Sequence, residues 1–231
     1  IVLMAAASIT GKDSDKISKI PHTQGMKNEI LIHEGQRNNY DKAFEIPGGI
    51  LVEYNNNNLE ENINENTCAI AYVIAPFFSE GLGLSETIKI AHKNKIPLLL
   101  DAAAELPPRE NLTKFISMGV DAVGFSGGKG IGGPQSTGIL TGKKDLIEAA
   151  KLHSFQNLHT TKAAIGRPMK VTKENLVGFI TALKLFIEDD ELAEKDFWYK
   201  KAELLLGKIK LKEGLKVFID DEYPNRQGPT V

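Results

Sequence analysis

Short apolar runs alternate with amphipathic helical patterns along most of the chain, and this alternation constrains the fold more than any other feature. The runs are rich in Ile, Val and Leu and lack strict apolar–polar alternation, as is typical of strands that are buried on both faces of a parallel sheet. We therefore predict an α/β fold with a mostly parallel sheet covered by helices. The predicted strands are Glu29–His33, Ile50–Tyr54, Thr67–Ala75, Pro97–Asp101, Asp121–Ser126 and Ser136–Leu140.

The segments between these strands carry helical spacing. Leu84, Ile88 and Ala91 recur at the interval that places side chains on one helix face, and Gly119 is typical of a C-terminal helix cap. The predicted helices are Asn39–Phe44, Leu59–Glu65, Leu84–Lys93, Arg109–Met118, Lys143–His153, Thr172–Glu188 and Asp190–Leu206. Leu215–Ile219 is predicted to be the first strand of a further unit. We accordingly predict a large domain over residues 1–165 and the start of a smaller α+β domain over 166–231, in a chain cut at both ends.

Composition excludes several classes of protein. Of the 231 residues, 42% are hydrophobic, which excludes a disordered chain, and a formal net charge of −2 indicates no broad surface for nucleic acid. The single cysteine, Cys68, indicates a buried thiol in a reducing compartment. No segment approaches the ~18 apolar residues that span a bilayer, and the five histidines lack metal-ligand spacing. We predict a cytoplasmic protein without a membrane partner or a metal.

The stretch Gly124–Pro134 contains six glycines around one lysine. Gly124, Ser126 and Gly128 match the G-x-S-x-G elbow of α/β-hydrolases, which requires a helix directly after the turn. The residues that follow Ser126 are a poor helix start, and an apolar run follows them instead, so we predict a glycine loop between two strands. A serine hydrolase stays the alternative, with nucleophile Ser126 and with Asp145 and His153 or His159 in the required chain order.

Asp101 stands at the carboxyl end of a predicted buried strand, where α/β sheets bind ligands. Lys129 follows after one predicted helix and one more strand, so both residues are expected at the same edge of the sheet. A lysine and a buried aspartate are what pyridoxal phosphate requires, because the amine forms a Schiff base and the aspartate keeps the pyridinium nitrogen protonated. Ser126 lies three residues before the lysine and can donate a hydrogen bond to the cofactor phosphate.

Three segments resemble one group of enzymes. They are Leu100–Leu112, which reads LDAAAELPPRENL, Phe125–Gln135, which reads FSGGKGIGGPQ, and Ile165–Val171, which reads IGRPMKV. These segments resemble the fold-type-I pyridoxal-phosphate enzymes related to L-seryl-tRNA(Sec) selenium transferase (selenocysteine synthase), a group that includes D-glucosaminate-6-phosphate ammonia-lyase-like proteins. The resemblance implies the aspartate-aminotransferase-like fold, and Ile1–Ile9 resembles the later part of the helix that follows the family's phosphate-binding loop.

The resemblance also implies roles for individual residues. It makes Lys129 the Schiff-base lysine, Asp101 the pyridinium partner and Ser126 a phosphate ligand, and it makes Arg167 the arginine that holds an anionic substrate group. Arg37 is also predicted to bind the substrate. A ring-stacking side chain is expected among three residues that follow the first strand, which are Gln36, Arg37 and Tyr40.

The predicted reaction is β-elimination or replacement on a hydroxy-amino acid, phosphorylated or not, in a homodimer or higher homo-oligomer. Lyase and selenium-transfer activity both stay open. Elimination on a small molecule is favoured over tRNA as the partner, because nothing in the chain marks a tRNA-binding domain, and an inactive relative of the same fold is the non-enzymatic alternative. Glu105 and Arg109 flank two prolines behind Asp101 and are predicted to form a structural ion pair or a helix cap.

Overall fold

A six-stranded sheet organises the computed structural model, which describes residues 1–56, 58–75, 81–157, 163–209, 214–220 and 228–231. The strands are β1 Glu29–His33, β2 Ile50–Tyr54, β3 Thr67–Val73, β4 Leu98–Asp101, β5 Ala122–Ser126 and β6 Gly138–Gly142. Their order across the sheet is β2-β1-β3-β4-β5-β6. The first five run parallel, and β6 pairs antiparallel with β5. The predicted α/β class with a mostly parallel sheet is confirmed.

Helices connect the strands and extend the chain beyond them. They are α1 Val2–Thr10, α2 Ser14–Lys19, α3 Lys42–Glu45, α4 Leu59–Asn62, α5 Leu84–Lys93, α6 Asn111–Met118, α7 Lys144–Leu152, α8 Lys173–Glu188 and α9 Glu191–Lys208. Gly119 ends α6 with a φ of 110°, in the left-handed region, as the sequence predicts. Among the helices that the structure describes, none combines the length and the apolar character that crossing a bilayer requires.

The central strands β1, β3, β4 and β5 are buried on both faces, and this explains their unbroken apolar runs. Leu98, Leu99 and Leu100 are consecutive in β4, and none of them is exposed to solvent. Leu98 and Leu100 pack into one cluster with side chains of α5 and α6, whereas Leu99 packs into the cluster on the opposite face, which includes Met4 of α1. Full burial of such a side chain contributes about 1.5–3 kcal/mol to the free energy of folding. The helices that cover both faces therefore stabilise the central strands.

Two local features differ from the sequence-based expectation. Helix α2 lies outside the predicted helices, although Asp13 marks its start by accepting hydrogen bonds from two backbone N–H groups of the first turn. The predicted strand Leu215–Ile219 is wrong. Within 214–220, only Asp220 forms a β-bridge, with Thr230, and Leu215 and Phe218 are exposed. An apolar run forms a strand only where a partner strand receives its backbone hydrogen bonds.

Candidate active site at the carboxyl edge of the sheet

Asp101 and the glycine loop meet at the carboxyl edge of the parallel sheet. Asp101 is the last residue of β4 and pairs in register with Gly124 of β5. Immediately after Asp101, the N–H of Ala102 donates to the carbonyl of Gly124 at 3.0 Å. Ser126 therefore lies only two residues beyond the position that faces Asp101. The structure thus brings Asp101 to the same edge as the turn that holds Ser126 and Lys129.

The glycine loop is a tight connection between two antiparallel strands. The N–H of Gly127 donates to the carbonyl of Thr137 at 2.9 Å, and the N–H of Gly133 donates to the carbonyl of Gly127 at 2.8 Å. Lys129 stands at the exposed tip, where its carbonyl accepts the N–H of Gly132 at 2.8 Å. No helix follows within residues 127–137. The predicted strand–loop–strand arrangement is confirmed, and the strand–turn–helix geometry that a nucleophile elbow requires is not formed.

Gly130 joins this loop to the segment that follows Asp101. A Cβ atom added at Gly130 would lie 2.0 Å from the carbonyl oxygen of Leu106 and 3.1 Å from Cδ of Pro107. A backbone oxygen cannot rotate away as the end of a flexible side chain can, so this position requires glycine. The turn that carries Lys129 therefore packs directly on the chain that leaves Asp101.

The polar side chains at this edge have few partners of their own. Asp101 is half-buried, and its Oδ1 accepts one hydrogen bond, from the N–H of Ala103 at 3.0 Å. The Ser126 hydroxyl and the Lys129 amine have no hydrogen bond or ion pair with any residue that the structure describes. Ser126 is half-buried and Lys129 is exposed. All three groups can therefore contact a ligand without breaking an internal ion pair.

Arg37 follows the carboxyl end of β1, and its side chain turns towards β2. Its Nε donates to Asp41 at 2.5 Å, and its guanidinium also pairs with Glu53 of β2. The hydrogen bond to Asp41 raises the pKa of the guanidinium above its ordinary value. Because β1 and β3 separate β2 from β4, the structure does not bring Arg37 together with Asp101 and Lys129.

The other two ring-stacking candidates differ in their surroundings. Gln36 is buried, and its Oε1 accepts the N–H of Val73 at 3.0 Å. Since Val73 pairs with Asp101, Gln36 secures the end of the strand next to Asp101. Tyr40 is 78% exposed. The described contacts assign neither side chain to a ring.

His33 is a residue at this edge that the sequence analysis did not single out. It is the last residue of β1 and is buried. Its Nδ1 accepts the N–H of Gly35 at 3.0 Å, whereas its buried Nε2 has no hydrogen-bond partner. Its ring meets the ring of Tyr54 edge-on, with the ring centroids 5.4 Å apart. Its position at the end of an apolar strand is the sequence signal that could have drawn attention to it.

Arg167 lies in the turn before α8. Its guanidinium donates to the carbonyl of Phe155 at 3.0 Å. Arg167 and Lys170 line a surface cavity of about 690 Å³ together with Ala163, Ala164, Ile165 and Pro168. This lining contains two cations and no carboxylate, so an anionic group could enter it without repulsion.

The described residues of the alternative hydrolase triad are not assembled. Asp145 pairs with Lys12 at 3.0 Å on the surface. His153 is fully buried, with its Nε2 2.7 Å from the hydroxyl oxygen of Thr10, and burial lowers its pKa to about 4. His159 lies outside the described residues. Neither described candidate is placed to orient or deprotonate Ser126.

The structure forms neither the ion pair nor the helix cap predicted for Glu105 and Arg109. The N-cap position of α6 is Glu110, and no side chain that the structure describes caps it. The Arg109 guanidinium donates to the carbonyl of Asp189, and its backbone N–H donates to the Glu191 carboxylate at 3.2 Å. Arg109 thus faces the junction of α8 and α9. Glu105 is 2% exposed, and its Oε1 has no hydrogen-bond partner in the part of the chain that the structure describes. Burial raises the pKa of this carboxyl group to about 7.

Comparisons with known proteins agree with this architecture. Residues 53–199 match the family model for L-seryl-tRNA selenium transferase. D-glucosaminate-6-phosphate ammonia lyase of Salmonella typhimurium is 34% identical over 196 residues, which cover 80% of this chain and 50% of that protein. L-seryl-tRNA(Sec) selenium transferase of Aquifex aeolicus is 30% identical over 207 residues, which cover 78% of this chain and 43% of that protein. The chain thus spans about half the length of these curated relatives.

Solved structures support the same assignment. A structure of D-glucosaminate-6-phosphate ammonia-lyase aligns with a TM-score of 0.72 at 32% identity, covering 82% of this chain and 51% of that one. The cysteine desulfurase CsdA of Escherichia coli aligns with a TM-score of 0.55 at 18% identity, covering 90% of this chain and 57% of that one. This likeness shows the fold alone. The family match covers more than half of the chain and agrees with both relatives, so the chain belongs to the L-seryl-tRNA selenium transferase family.

Proposed function

We propose that the protein is a pyridoxal-phosphate-dependent lyase or transferase that acts by β-elimination or replacement on a hydroxy-amino-acid substrate. The observation that carries this proposal is the meeting of Asp101 and the Lys129 turn at one sheet edge, through the Asp101–Gly124 pairing and the contact of Gly130 with Leu106. The names of the relatives are consistent with it, because one is an ammonia lyase and another a selenium transferase.

The residues at this edge fit the chemical demands of pyridoxal phosphate. The cofactor needs a lysine amine without a carboxylate partner, an acidic group for its ring nitrogen and a hydrogen-bond donor for its phosphate. Lys129, Asp101 and Ser126 supply these groups, and all three side chains are at least partly accessible. Ala102 contributes no bulk beside Asp101. When bound, the cofactor supplies an electron sink for negative charge at the substrate Cα.

Each residue then has a defined task. The Lys129 amine would hold the cofactor and, when free, would accept the substrate Cα proton at Nζ. Asp101 holds a proton on the ring nitrogen, and Ser126 donates to the cofactor phosphate. We assign the anionic substrate group to Arg167 rather than to Arg37, because Arg37 already carries two carboxylate partners.

We favour elimination from a phosphorylated amino-acid-type substrate over selenium transfer to a tRNA-bound substrate. The ammonia-lyase relative is named for a phosphorylated amino compound, and two of the six residues that line the cavity beside Arg167 are cations. In this scheme loss of the β-hydroxyl or its ester, followed by addition of water, releases a 2-keto acid and ammonia. We further propose that the enzyme is a cytoplasmic homo-oligomer.

Absorbance spectroscopy on the whole protein tests the proposal. Adding pyridoxal phosphate is expected to produce the visible band of a lysine-linked cofactor in the wild type and in the surface control Lys195→Ala, but not in Lys129→Ala. Asp101→Asn is expected to retain the band and to lose ammonia release from hydroxy- and phospho-amino acids. A band that survives in Lys129→Ala contradicts the proposal, and labelling of Ser126 by a fluorophosphonate would support the hydrolase instead.

A further inference from the structure

The segment Ala102–Pro108 connects the two halves of the proposed site. It begins at Asp101, and Ala102 is fully buried beside Gly124 of β5. At its far end the carbonyl of Leu106 lies against Gly130, next to Lys129. A movement of this segment would therefore change the spacing between Asp101 and the Lys129 turn.

Glu105 lies at the centre of this segment and is held by its backbone. Its N–H donates to the carbonyl of Ala102 at 3.1 Å, and its carbonyl accepts from Nδ2 of Asn111 at 2.7 Å. These bonds leave the side chain enclosed, with 2% of the residue exposed and with Oε1 unpartnered. The adjacent residues Ala102 and Leu106 belong to the apolar core.

The charged groups on the surrounding elements do not compensate an ionised Glu105. Asp101 at the strand end carries the same sign. The Arg109 guanidinium donates to the carbonyl of Asp189 and forms no ion pair with Glu105 among the described residues, and Lys129 lies at the exposed tip of its turn. A buried carboxylate without a partner is unfavourable, so the neutral form is preferred. Burial is the only cause that raises its pKa, to about 7.

We propose that protonated Glu105 is a positioning residue that keeps the Ala102–Pro108 segment packed under the Lys129 turn. Ionisation draws the carboxylate towards water. Because only 2% of the residue is exposed, fuller hydration of the carboxylate moves the segment and withdraws the Leu106 carbonyl from Gly130. The inference rests on the proposed function, because the geometry that Glu105 maintains is that of the cofactor-binding lysine.

The first test needs no cofactor. The thermal unfolding midpoint of the whole protein is measured between pH 5 and 8 for the wild type, Glu105→Gln and the exposed control Glu65→Gln. His153 titrates in the opposite direction, so the readout is the difference between each variant and the wild type. Relative to Glu105→Gln, the wild-type midpoint is expected to fall by about 5–10 °C as the pH rises. The difference between the wild-type midpoint and that of Glu65→Gln is expected to be the same at every pH. A midpoint difference between the wild type and Glu105→Gln that does not change with pH overturns the proposal.

The second test concerns Lys129. If the protein binds pyridoxal phosphate well only when Glu105 is protonated, the ratio of wild-type affinity to Glu105→Gln affinity falls about tenfold between pH 6 and 8. A merely structural Glu105 would leave this ratio at one, which overturns the inference while the proposed function stands. Absence of cofactor binding in all variants would overturn both.

A third measurement covers the case in which Glu105→Gln does not fold. Hydrogen exchange of the wild type, corrected for the intrinsic pH dependence, is expected to increase at pH 8 over peptides spanning 102–108 and 127–133. The helix Leu84–Lys93 serves as the internal reference. Equal protection of both peptides at pH 6 and 8 would contradict the proposal.

Discussion

Replacing Gly130 by alanine tests the close contact on which the site geometry depends. The new Cβ would stand 2.0 Å from the Leu106 carbonyl oxygen and 2.7 Å from its carbon, well inside van der Waals contact. Both atoms are backbone, so the Lys129 turn or the Ala102–Pro108 segment must shift. Overpacking of this kind costs about 1–3 kcal/mol, and a chain of this size loses about 2–4 °C in unfolding midpoint per kcal/mol.

Two assays separate the consequences of this change. Thermal unfolding of Gly130→Ala is expected to show a midpoint roughly 2–12 °C below the wild type, and pyridoxal phosphate is expected to bind more weakly. The control is Gly207→Ala, because Gly207 lies in α9 with no atom within 4 Å of its added Cβ, and a helical Gly-to-Ala change stabilises by about 0.5–1 kcal/mol. A Gly130→Ala protein with wild-type stability and cofactor affinity would refute the close packing of these two segments.

Three further predictions concern buried groups away from the site. His153 has an ordinary pKa near 6.5 when unfolded and a folded pKa of about 4. The contribution of neutral His153 to the free energy of unfolding is therefore fully present above about pH 6.5. It is lost as the pH falls towards 4, by about 3 kcal/mol in total. In a plot of unfolding free energy against pH, His153→Gln should flatten this decline, whereas the exposed His22→Gln should not. Burial raises the pKa of Cys68 to about 11, so a thiol reagent at pH 8 should modify it only after unfolding, and rapid labelling of the folded protein would contradict this. Asp121 accepts from His92 and from the backbone N–H of Leu98, so Asp121→Ala should lower the free energy of unfolding by about 2–4 kcal/mol in urea titrations; a loss below 0.5 kcal/mol would contradict this.

The strands were predictable because burial on both faces leaves a direct trace in the sequence. Glu29–His33, four of whose five residues are buried, has its predicted bounds. The partly exposed edge strand Ile50–Tyr54 also has its predicted bounds, since polar residues and turns flank each apolar run. The strand–loop–strand form of the glycine stretch was also predictable, because the glycine-rich residues from Lys129 to Pro134 are a poor helix start and an apolar run follows them. Residues 215–219 had the same apolar appearance, but their structure depended on a partner strand that the run itself does not specify.

The side-chain partners at the site could be predicted less well. Asp101 and the Lys129 turn were expected at one edge, because parallel strands place their carboxyl ends together. The pairing of Arg109 with Asp189 and Glu191 joins residues about 80 positions apart in the chain. Nothing in the local sequence distinguishes that arrangement from an ion pair with Glu105. The enclosure of Glu105 follows from the same long-range packing.

Mapping the lysine that binds the cofactor tests the central claim most directly. The whole protein is incubated with pyridoxal phosphate, reduced with borohydride and digested, and the modified residue is located by mass spectrometry. If Asp101 and the Lys129 turn form one pyridoxal-phosphate site, the label resides on Lys129, and Asp101→Asn keeps the label there while abolishing turnover. A label on any other lysine, or no label at saturating cofactor, would contradict the account.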